Sequence, residues 1–259
     1  MDQAVIAIAN QKGGVGKTTT TINLGSYLQK IGHKVLIVDL DPQANTTSGL
    51  GVDKTALTHS VYHGLSDISL APEVIYNTHH NVSLVPANPD LAAAEVELVN
   101  LDQREFRLKN LLNNYNFDFI LIDCPPSLGL LTINALTAAQ HIIVPVQAEY
   151  YALEGLGHLL DTTQRVRQAL NPNLDILGVL LTMYNNRTTL SNQVQEEVQK
   201  HFPGKVFDAI IPRNVRLAEA PSYGRPISSH DKWSKGAKSY KMLAKEVEQR
   251  VKDKKKVGK

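Results

Sequence analysis

Lysines, glycines and threonines between residues 12 and 19 form a pattern that suits the binding of phosphate groups. The segment reads Lys12-Gly13-Gly14-Val15-Gly16-Lys17-Thr18-Thr19. Glycines let the backbone bend so that successive N–H groups converge on phosphate oxygens, and a helix that begins there adds partial positive charge. In such a loop we expect Lys17 to reach the β- and γ-phosphates of a nucleotide and the Thr18 hydroxyl to ligate Mg²⁺.

This phosphate loop, residues 12–19, departs from the standard motif at its first position. Gln11 stands where the motif has its first glycine, and Lys12 is an additional cation in the spacer. Two cations beside one triphosphate repel each other, so the second lysine is best explained if its charge meets phosphate. The alternatives are a glycine-rich turn with incidental lysines and, for Lys12, a solvated loop side chain.

Two aspartates, Asp39 and Asp41, follow an apolar run of strand length. Carboxylates at i and i+2 on an extended segment point the same way, and at the carboxyl end of a parallel strand they face the ligand crevice. Phosphate hydrolysis needs an acceptor beside the γ-phosphate, so Asp41 is the candidate for positioning the attacking water. The alternative is a loop carboxylate that caps the turn at Pro42.

A third acid, Asp123, ends the apolar run at residues 117–122. An apolar strand that delivers one acid beside a phosphate loop is the Walker B arrangement, in which Asp123 would hold Mg²⁺ through water. The alternative is a buried capping aspartate. Its neighbour Cys124 is interpreted as a small core residue rather than a nucleophile.

The elements that position these residues are predicted from apolar runs and helical spacing. Strands are predicted at residues 5–9, 35–38, 82–85, 117–122, 141–146, 176–182 and 206–211, and helices at 17–31, 104–114, 130–139, 154–170, 191–201 and 236–251. Several strands are almost continuously apolar, which is typical of a parallel sheet covered by helices on both faces. We therefore predict an α/β fold with a mostly parallel sheet. Residues 1–252 would form a single domain and residues 253–259 a basic tail, and residues 46–81 show no clear pattern.

Composition excludes several classes of protein. The chain has 259 residues, of which 42% are hydrophobic and 20% charged, an ordinary globular mixture. Its single Cys excludes an internal disulfide and an iron–sulfur cluster held within one chain. A protein of the nitrogenase iron-protein type would need two cluster cysteines per subunit and is set aside for that reason. No apolar run reaches the ~18 residues of a membrane-spanning helix, and the N-terminus lacks a basic region followed by an apolar one. The expected compartment is the cytoplasm.

The motifs resemble those of the deviant Walker A family of P-loop ATPases. That family's pattern Lys-Gly-Gly-x-Gly-Lys-[Thr/Ser] is matched by residues 12–18. The resemblance implies that Lys12 crosses a dimer interface to the partner subunit's nucleotide, so that ATP with Mg²⁺ is sandwiched between two subunits. Asp-x-Asp-Pro-Gln resembles the family's switch I signature, whose second acid, Asp41 here, serves hydrolysis. Ala44 stands where the family usually has Gly.

Later segments resemble one branch of this family, the ParA/Soj chromosome-partitioning ATPases. Residues 181–185 and 211–221 carry this likeness, and it places Asn185 and Pro212 near the adenine ring. It also implies an ATP-bound homodimer, non-specific DNA binding at the nucleoid, and a ParB-type partner that stimulates slow hydrolysis. The first predicted strand begins near residue 4, so we expect no N-terminal helix-turn-helix extension and no site-specific operator binding.

DNA binding without sequence preference requires a local basic surface, because the formal net charge is only +2. The candidate residues are Arg187, Arg213, Arg216, Arg225 and Lys205. Arg187 and Arg216 match positions that the resemblance associates with DNA contact, although each could equally be a solvated surface arginine. Residues 250–259 hold six basic side chains against one acidic and could add to DNA attraction or serve only solubility.

The main rival is a MinD-like positioning ATPase that binds membranes. That function needs a C-terminal amphipathic helix with substantial apolar side chains. Here Leu243, Val247 and Val251 make a thin stripe, and no Trp or Phe follows Trp233. We therefore do not expect membrane binding. A third class, in which ATP drives a synthetase or a metal carrier, would need a substrate pocket or cysteine ligands that the sequence does not show.

Overall fold

A parallel sheet forms the centre of the computed structural model, which describes residues 3–149 and 154–257. Within these residues the strands are β1 (Ala4–Ile8), β2 (Val35–Asp39), β3 (Tyr76–Asn77), β4 (Ser83–Val85), β5 (Phe119–Asp123), β6 (His141–Gln147) and β7 (Asp175–Thr182). Their order in the sheet is β3-β4-β2-β5-β1-β6-β7. All neighbours are parallel except the short pair β3 and β4.

Helices surround the sheet. They are α1 (Lys17–Lys30), α2 (Asn45–Gly49), α3 (Val61–Ser66), α4 (Leu91–Glu97), α5 (Arg107–Leu112), α6 (Leu130–Ala138), α7 (Glu154–Ala169), α8 (Thr189–His201), α9 (Val215–Glu219), α10 (Ile227–His230) and α11 (Lys235–Val257). Short 3-10 helices span Ile68–Leu70, Leu98–Asn100, Arg104–Phe106 and Ala220–Tyr223. The predicted α/β class with a mostly parallel sheet is confirmed.

Apolar side chains pack on both faces of the sheet, as the continuous apolar strands predict. In β1, Val5 and Ala7 face one core and Ile6 and Ile8 face the other. This alternation follows from the two-residue repeat of a strand. Because these strands run parallel, the polar groups at their carboxyl ends are brought together at one edge of the sheet.

The long last helix, α11, packs against α1 on one side of the sheet. Its apolar stripe of Leu243, Val247 and Val251 is fully buried in the core there. The helix continues to Val257, so the first five residues of the predicted tail are helical, and Gly258 and Lys259 lie outside the described residues. In the part of the chain that the structure describes, no helix is both long and apolar enough to cross a bilayer.

The prediction of a strand at residues 206–211 is wrong. Phe207 N donates to Val179 O at 2.9 Å, which gives an isolated bridge beside β7. The next amides, of Asp208 and Ala209, turn away and donate to the carboxylate of Glu246 on α11 at 3.0 and 3.1 Å. Because these amides are taken by a side chain, the segment is extended but does not form a ladder. The unpatterned residues 46–81 contain α3, β3 and most of α2.

Candidate functional site

The phosphate loop lies between β1 and α1 and is fixed on both sides. Gly14 and Gly16 have φ values of 75° and 91°, a region that favours glycine. The Thr182 hydroxyl donates to Val15 O at 2.8 Å, and Asn10 Oδ1 accepts from the backbone N–H of Lys12 at 3.0 Å. These two contacts fix the shape of the loop, in which successive backbone N–H groups can converge on an anion.

Lys17 begins α1 and is only 7% exposed. Its Nζ donates to the carbonyl oxygen of Lys12, 3.2 Å away, so the side chain folds back over the loop. Burial lowers the pKa of Lys17, while the acids Asp123 and Asp41 act in the opposite direction. A buried ammonium group with a carbonyl as its hydrogen-bond acceptor is well placed to move onto phosphate oxygens.

Asp123 at the end of β5 is fully buried and surrounded by hydroxyl groups. Its Oδ2 accepts from Thr18 at 2.8 Å and from Thr46 at 2.7 Å, and its Oδ1 accepts from Thr21 at 3.3 Å. Burial raises the pKa of Asp123, and the hydrogen bonds from Thr46 and Thr18 act against that rise. The predicted partners Thr18 and Asp123 are thus in direct contact.

These oxygen atoms fit a magnesium ion in chemical type. Mg²⁺ prefers oxygen ligands and usually keeps several waters beside one or two carboxylates and substrate phosphates. Within the described ranges, no group of three or more His, Cys, Asp or Glu side chains could hold a metal by itself. Beside Thr18 and Asp123, a nucleotide and water are the usual sources of further oxygen ligands for Mg²⁺.

Asp39 and Asp41 have different environments, although the sequence places them together. Asp39 is fully buried, and its Oδ2 accepts from Thr47 N at 2.8 Å and Thr47 Oγ1 at 2.7 Å. Burial raises the pKa of Asp39, and its strand neighbour Asp123 raises it further. Asp39 thus holds the start of α2. Asp41 Oδ1 accepts from Gln43 N at 3.0 Å, as in the turn-capping interpretation.

Ala44 has a left-handed backbone with φ 54° and ψ 39°, immediately before α2. This conformation costs an ordinary residue about 1–2 kcal/mol and glycine almost nothing. It gives a physical reason for the glycine that the family usually has at this position. The turn still forms with alanine at this position, because Ala44 N donates to Asp41 O at 2.8 Å.

A cavity of about 190 Å³ adjoins the phosphate loop. It is lined by Gly16, Thr19, Thr182, Met183, Ile211, Pro212, Arg213, Asn214, Leu217, Ala218 and Tyr240. Of the two residues predicted near adenine, Pro212 is in this wall. Asn185 is not, and its side-chain oxygen instead accepts from Arg187 N at 3.1 Å within its own loop.

The five basic residues predicted to contact DNA are exposed to different degrees. Arg213 Nη2 lies 3.4 Å from Glu149 Oε1, and Arg216 Nη1 lies 2.9 Å from Glu219 Oε2. Arg187 and Arg225 are exposed. Lys205 donates to both oxygens of Asp175 and to Ile176 O, and these three bonds give it a structural role beside β7.

Sequence reasoning missed Thr46, Thr21 and Asn10, which bind Asp123 or support the loop. Thr46 lies in the segment without a clear pattern, 77 residues from its acceptor. The only available signal was a pair of hydroxyl residues, Thr46 and Thr47, soon after Asp41.

A phosphate loop between a strand and a helix, with Asp41 and Asp123 following neighbouring strands, defines a P-loop nucleotide hydrolase. A family model described as "AAA domain" matches residues 3–176. The chain is 56% identical over 246 residues to the sporulation initiation inhibitor protein Soj of Bacillus subtilis, covering 94% of this chain and 97% of that protein. The chain belongs to the ParA/Soj family of chromosome-partitioning ATPases.

Two further proteins match this chain over nearly its whole length. The chromosome-partitioning ATPase Soj of Thermus thermophilus is 52% identical over 248 residues, which cover 96% of each chain. A crystal structure of cobyrinic acid a,c-diamide synthase from Mycobacterium smegmatis with bound ADP and magnesium matches with a TM-score of 0.83 and 41% identity, covering 94% of this chain and 93% of that one. The predicted family and the predicted ATPase activity are confirmed.

Proposed function

We propose that the protein is an ATP-dependent dimerising switch that holds DNA without sequence preference and drives chromosome or plasmid segregation with a ParB-type partner. One observation carries the proposal. Helix α2, which places Thr46 on Asp123, also packs against the 3-10 helix Ala220–Tyr223 that directly follows the Arg216 segment. The nucleotide site and the segment that carries Arg216 are thus linked through one short helix.

ATP is proposed to bind with its phosphates on the backbone amides of residues 13–19. Lys17 moves from the Lys12 carbonyl onto the β- and γ-phosphates, and the adenine ring occupies the cavity beside Pro212. Asn185 would contact the base only after its loop rearranges. Lys12 is proposed to reach the nucleotide of a second subunit, since the loop fixes its backbone N–H on Asn10 while the side chain stays half-exposed.

Hydrolysis is proposed to depend on Asp41. Its Oδ1 is held by Gln43 N, so the carboxylate has a fixed orientation and can accept a hydrogen bond from an attacking water. Thr18 and Asp123 would hold Mg²⁺, Asp123 through water, and the ion would neutralise charge on the phosphates. Asp39 supports the same segment by holding Thr47.

DNA is proposed to contact Arg187, Arg213 and Arg216. Lys and Arg contacts with phosphate give affinity without sequence information and weaken as salt rises. Dimer formation would place two such surfaces on one DNA molecule, and the linked contacts would bind more tightly than either alone. In the cell this proposal places the protein in the cytoplasm on the nucleoid.

A membrane-binding, MinD-like function is less well supported. The apolar stripe of α11 that it would need, Leu243, Val247 and Val251, is buried against the sheet. Release of that stripe would uncover the core. Flotation with liposomes in the presence of ATP tests this rival directly, and flotation without DNA binding would replace our proposal with it.

A mobility assay with a random DNA duplex tests the proposal. The protein should retain DNA with ATP or a non-hydrolysable analogue, retain much less with ADP or without nucleotide, and lose retention as salt increases. Arg216→Glu should weaken retention on all sequences without changing ATP affinity. Equal retention in all nucleotide states would contradict the switch, and unchanged retention by Arg216→Glu would remove Arg216 from the surface.

A further inference from the structure

Arg216 is held by two carboxylates of its own chain. Its Nη1 lies 2.9 Å from Glu219 Oε2, and its Nε lies 3.7 Å from Asp231 Oδ2. The three side chains are 58%, 40% and 32% exposed, so the cluster is at the surface. Among the three arginines assigned to DNA, Arg213 faces one carboxylate, and the structure describes none at Arg187.

A carboxylate offers a guanidinium group the same charge and acceptor geometry as a phosphate. A DNA phosphate that binds Arg216 must therefore displace Glu219 and Asp231 or share the arginine with them. We propose that Glu219 and Asp231 are internal competitors of the DNA phosphate, and that they hold DNA affinity below the value that Arg216 could provide. This inference rests on the proposed function.

The cluster is built so that displacement is easy. Exposed ion pairs are weak and are screened by salt. When Arg216 moves away, Asp231 Oδ1 still accepts from the backbone N–H groups of Trp233 and Ser234, at 3.1 and 3.2 Å. Glu219 is 40% exposed, so water can solvate its carboxylate in place of the arginine.

The test measures the Kd of a fluorescent random duplex with the full chain saturated by a non-hydrolysable ATP analogue. Glu219→Gln and Asp231→Asn should each tighten binding about 1.5- to 5-fold, the range typical of exposed ion pairs. Asn at 231 keeps an oxygen for the two backbone donors. Glu105→Gln is the matched control, because it removes one acid and releases an arginine, Arg104, from a 2.9 Å pair on another part of the surface. It should leave the Kd unchanged.

An Arg216→Ala background separates competition from general repulsion. In that background Glu219→Gln should no longer tighten binding, since the arginine it competes for is gone. Equal tightening with and without Arg216, or no tightening in the single variants, would overturn the inference while leaving DNA binding intact. An Arg216→Ala protein that binds DNA as wild type does would overturn both the inference and the assignment of Arg216, and a wild-type protein that binds no DNA would overturn the proposed function itself.

Discussion

The hydroxyl of Thr46 donates to Asp123 Oδ2 at 2.7 Å, on the same oxygen that Thr18 binds at 2.8 Å. One buried carboxylate oxygen therefore joins the start of α1 to helix α2. A ligand that draws Asp123 toward itself would therefore act on the bond that holds α2. This contact connects the proposed magnesium site with the segment that carries Asp41.

Thr46→Val should lower the free energy of unfolding by about 1–3 kcal/mol, because a buried carboxylate loses a donor. It should also reduce kcat for ATP hydrolysis more than it weakens ATP binding, since α2 loses its tie to Asp123 but the phosphate loop is untouched. Urea denaturation and steady-state ATPase assays measure both effects. Thr46→Ser keeps the hydroxyl and should restore both quantities. Because Thr46→Val keeps the methyl group and loses only the hydroxyl, a Val variant with wild-type stability and kcat would show that this hydrogen bond is not needed.

Asp41→Ala should leave ATP affinity within a few-fold of wild type and abolish hydrolysis, because Asp41 is proposed to orient water rather than to hold the phosphates. ATP-bound dimers should then accumulate. Isothermal titration with ATP and a phosphate-release assay check the two parts separately. A large loss of ATP affinity would show instead that Asp41 is needed for the structure of the loop around Pro42.

Gly224→Ala should disturb the contact between Gly224, which directly follows the 3-10 helix Ala220–Tyr223, and Gly51, which lies just after α2. Gly224 has φ 60°, and a Cβ there would lie 2.7 Å from Gly51 Cα. Gly204 is the control, because it has φ 71° but open space around it. Gly204→Ala should cost about 1–2 kcal/mol from the backbone alone, and Gly224→Ala at least about 1 kcal/mol more. The effect is measured by urea denaturation.

The same two variants test the link between the nucleotide site and the segment that carries Arg216. Gly224→Ala should reduce the ratio of DNA retention with ATP analogue to retention without nucleotide, and Gly204→Ala should leave that ratio unchanged. Equal ratios in both variants would show that the contact between Gly51 and Gly224 is structural only.

His141 should make stability fall at low pH. It is 9% exposed, and its Nδ1 is buried without a hydrogen-bond partner in the described structure. Burial lowers the pKa of His141 to about 4, against the opposing effect of Asp175. The unfolded chain therefore takes up the proton first. The stability that neutral His141 contributes is complete above pH ~6.5 and is lost as pH falls toward 4, by up to about 3 kcal/mol.

This contribution is isolated by comparison with His141→Gln, which cannot titrate. The difference in unfolding free energy between wild type and variant should be constant above pH 7 and should shift against wild type between pH 6.5 and 4. Urea denaturation at closely spaced pH values measures it. Parallel curves across this range would mean that His141 is protonated as easily in the folded protein as in the unfolded chain.

Much of the fold was predictable because its strands are buried on both faces. Predicted apolar runs coincide with the strands β1, β2, β5, β6 and β7. A strand that is covered by helices on both faces has apolar side chains at nearly every position, so its sequence is easy to recognise. Residues 206–211 have the same composition but lose their ladder to Glu246, which lies on a helix far along the chain. The sequence of a short apolar run does not show that a side chain elsewhere in the chain will bind its backbone amides.

In the candidate site, too, some contacts could be predicted from the sequence and others could not. The closeness of Thr18 and Asp123 was predictable because both follow apolar strands of one parallel sheet, and the structure places the Thr18 hydroxyl 2.8 Å from Asp123. Thr46 was not, because its partner is determined by packing of α2. The roles in nucleotide binding, metal binding, hydrolysis and DNA contact stay predictions for all the residues assigned to them, which are residues 12–19, Asp41, Asp123, Asn185, Arg187, Pro212, Arg213 and Arg216.

Lys12 is proposed to serve the nucleotide of a second subunit. Sedimentation equilibrium of the wild-type protein and of Lys12→Gln, each saturated with a non-hydrolysable ATP analogue and Mg²⁺, tests it most directly. We predict that the wild type is a dimer and that Lys12→Gln binds the analogue but stays monomeric, because Lys17 still holds the phosphates of its own subunit. A monomeric wild type at saturation, or a Lys12→Gln protein that dimerises equally well, would contradict the account.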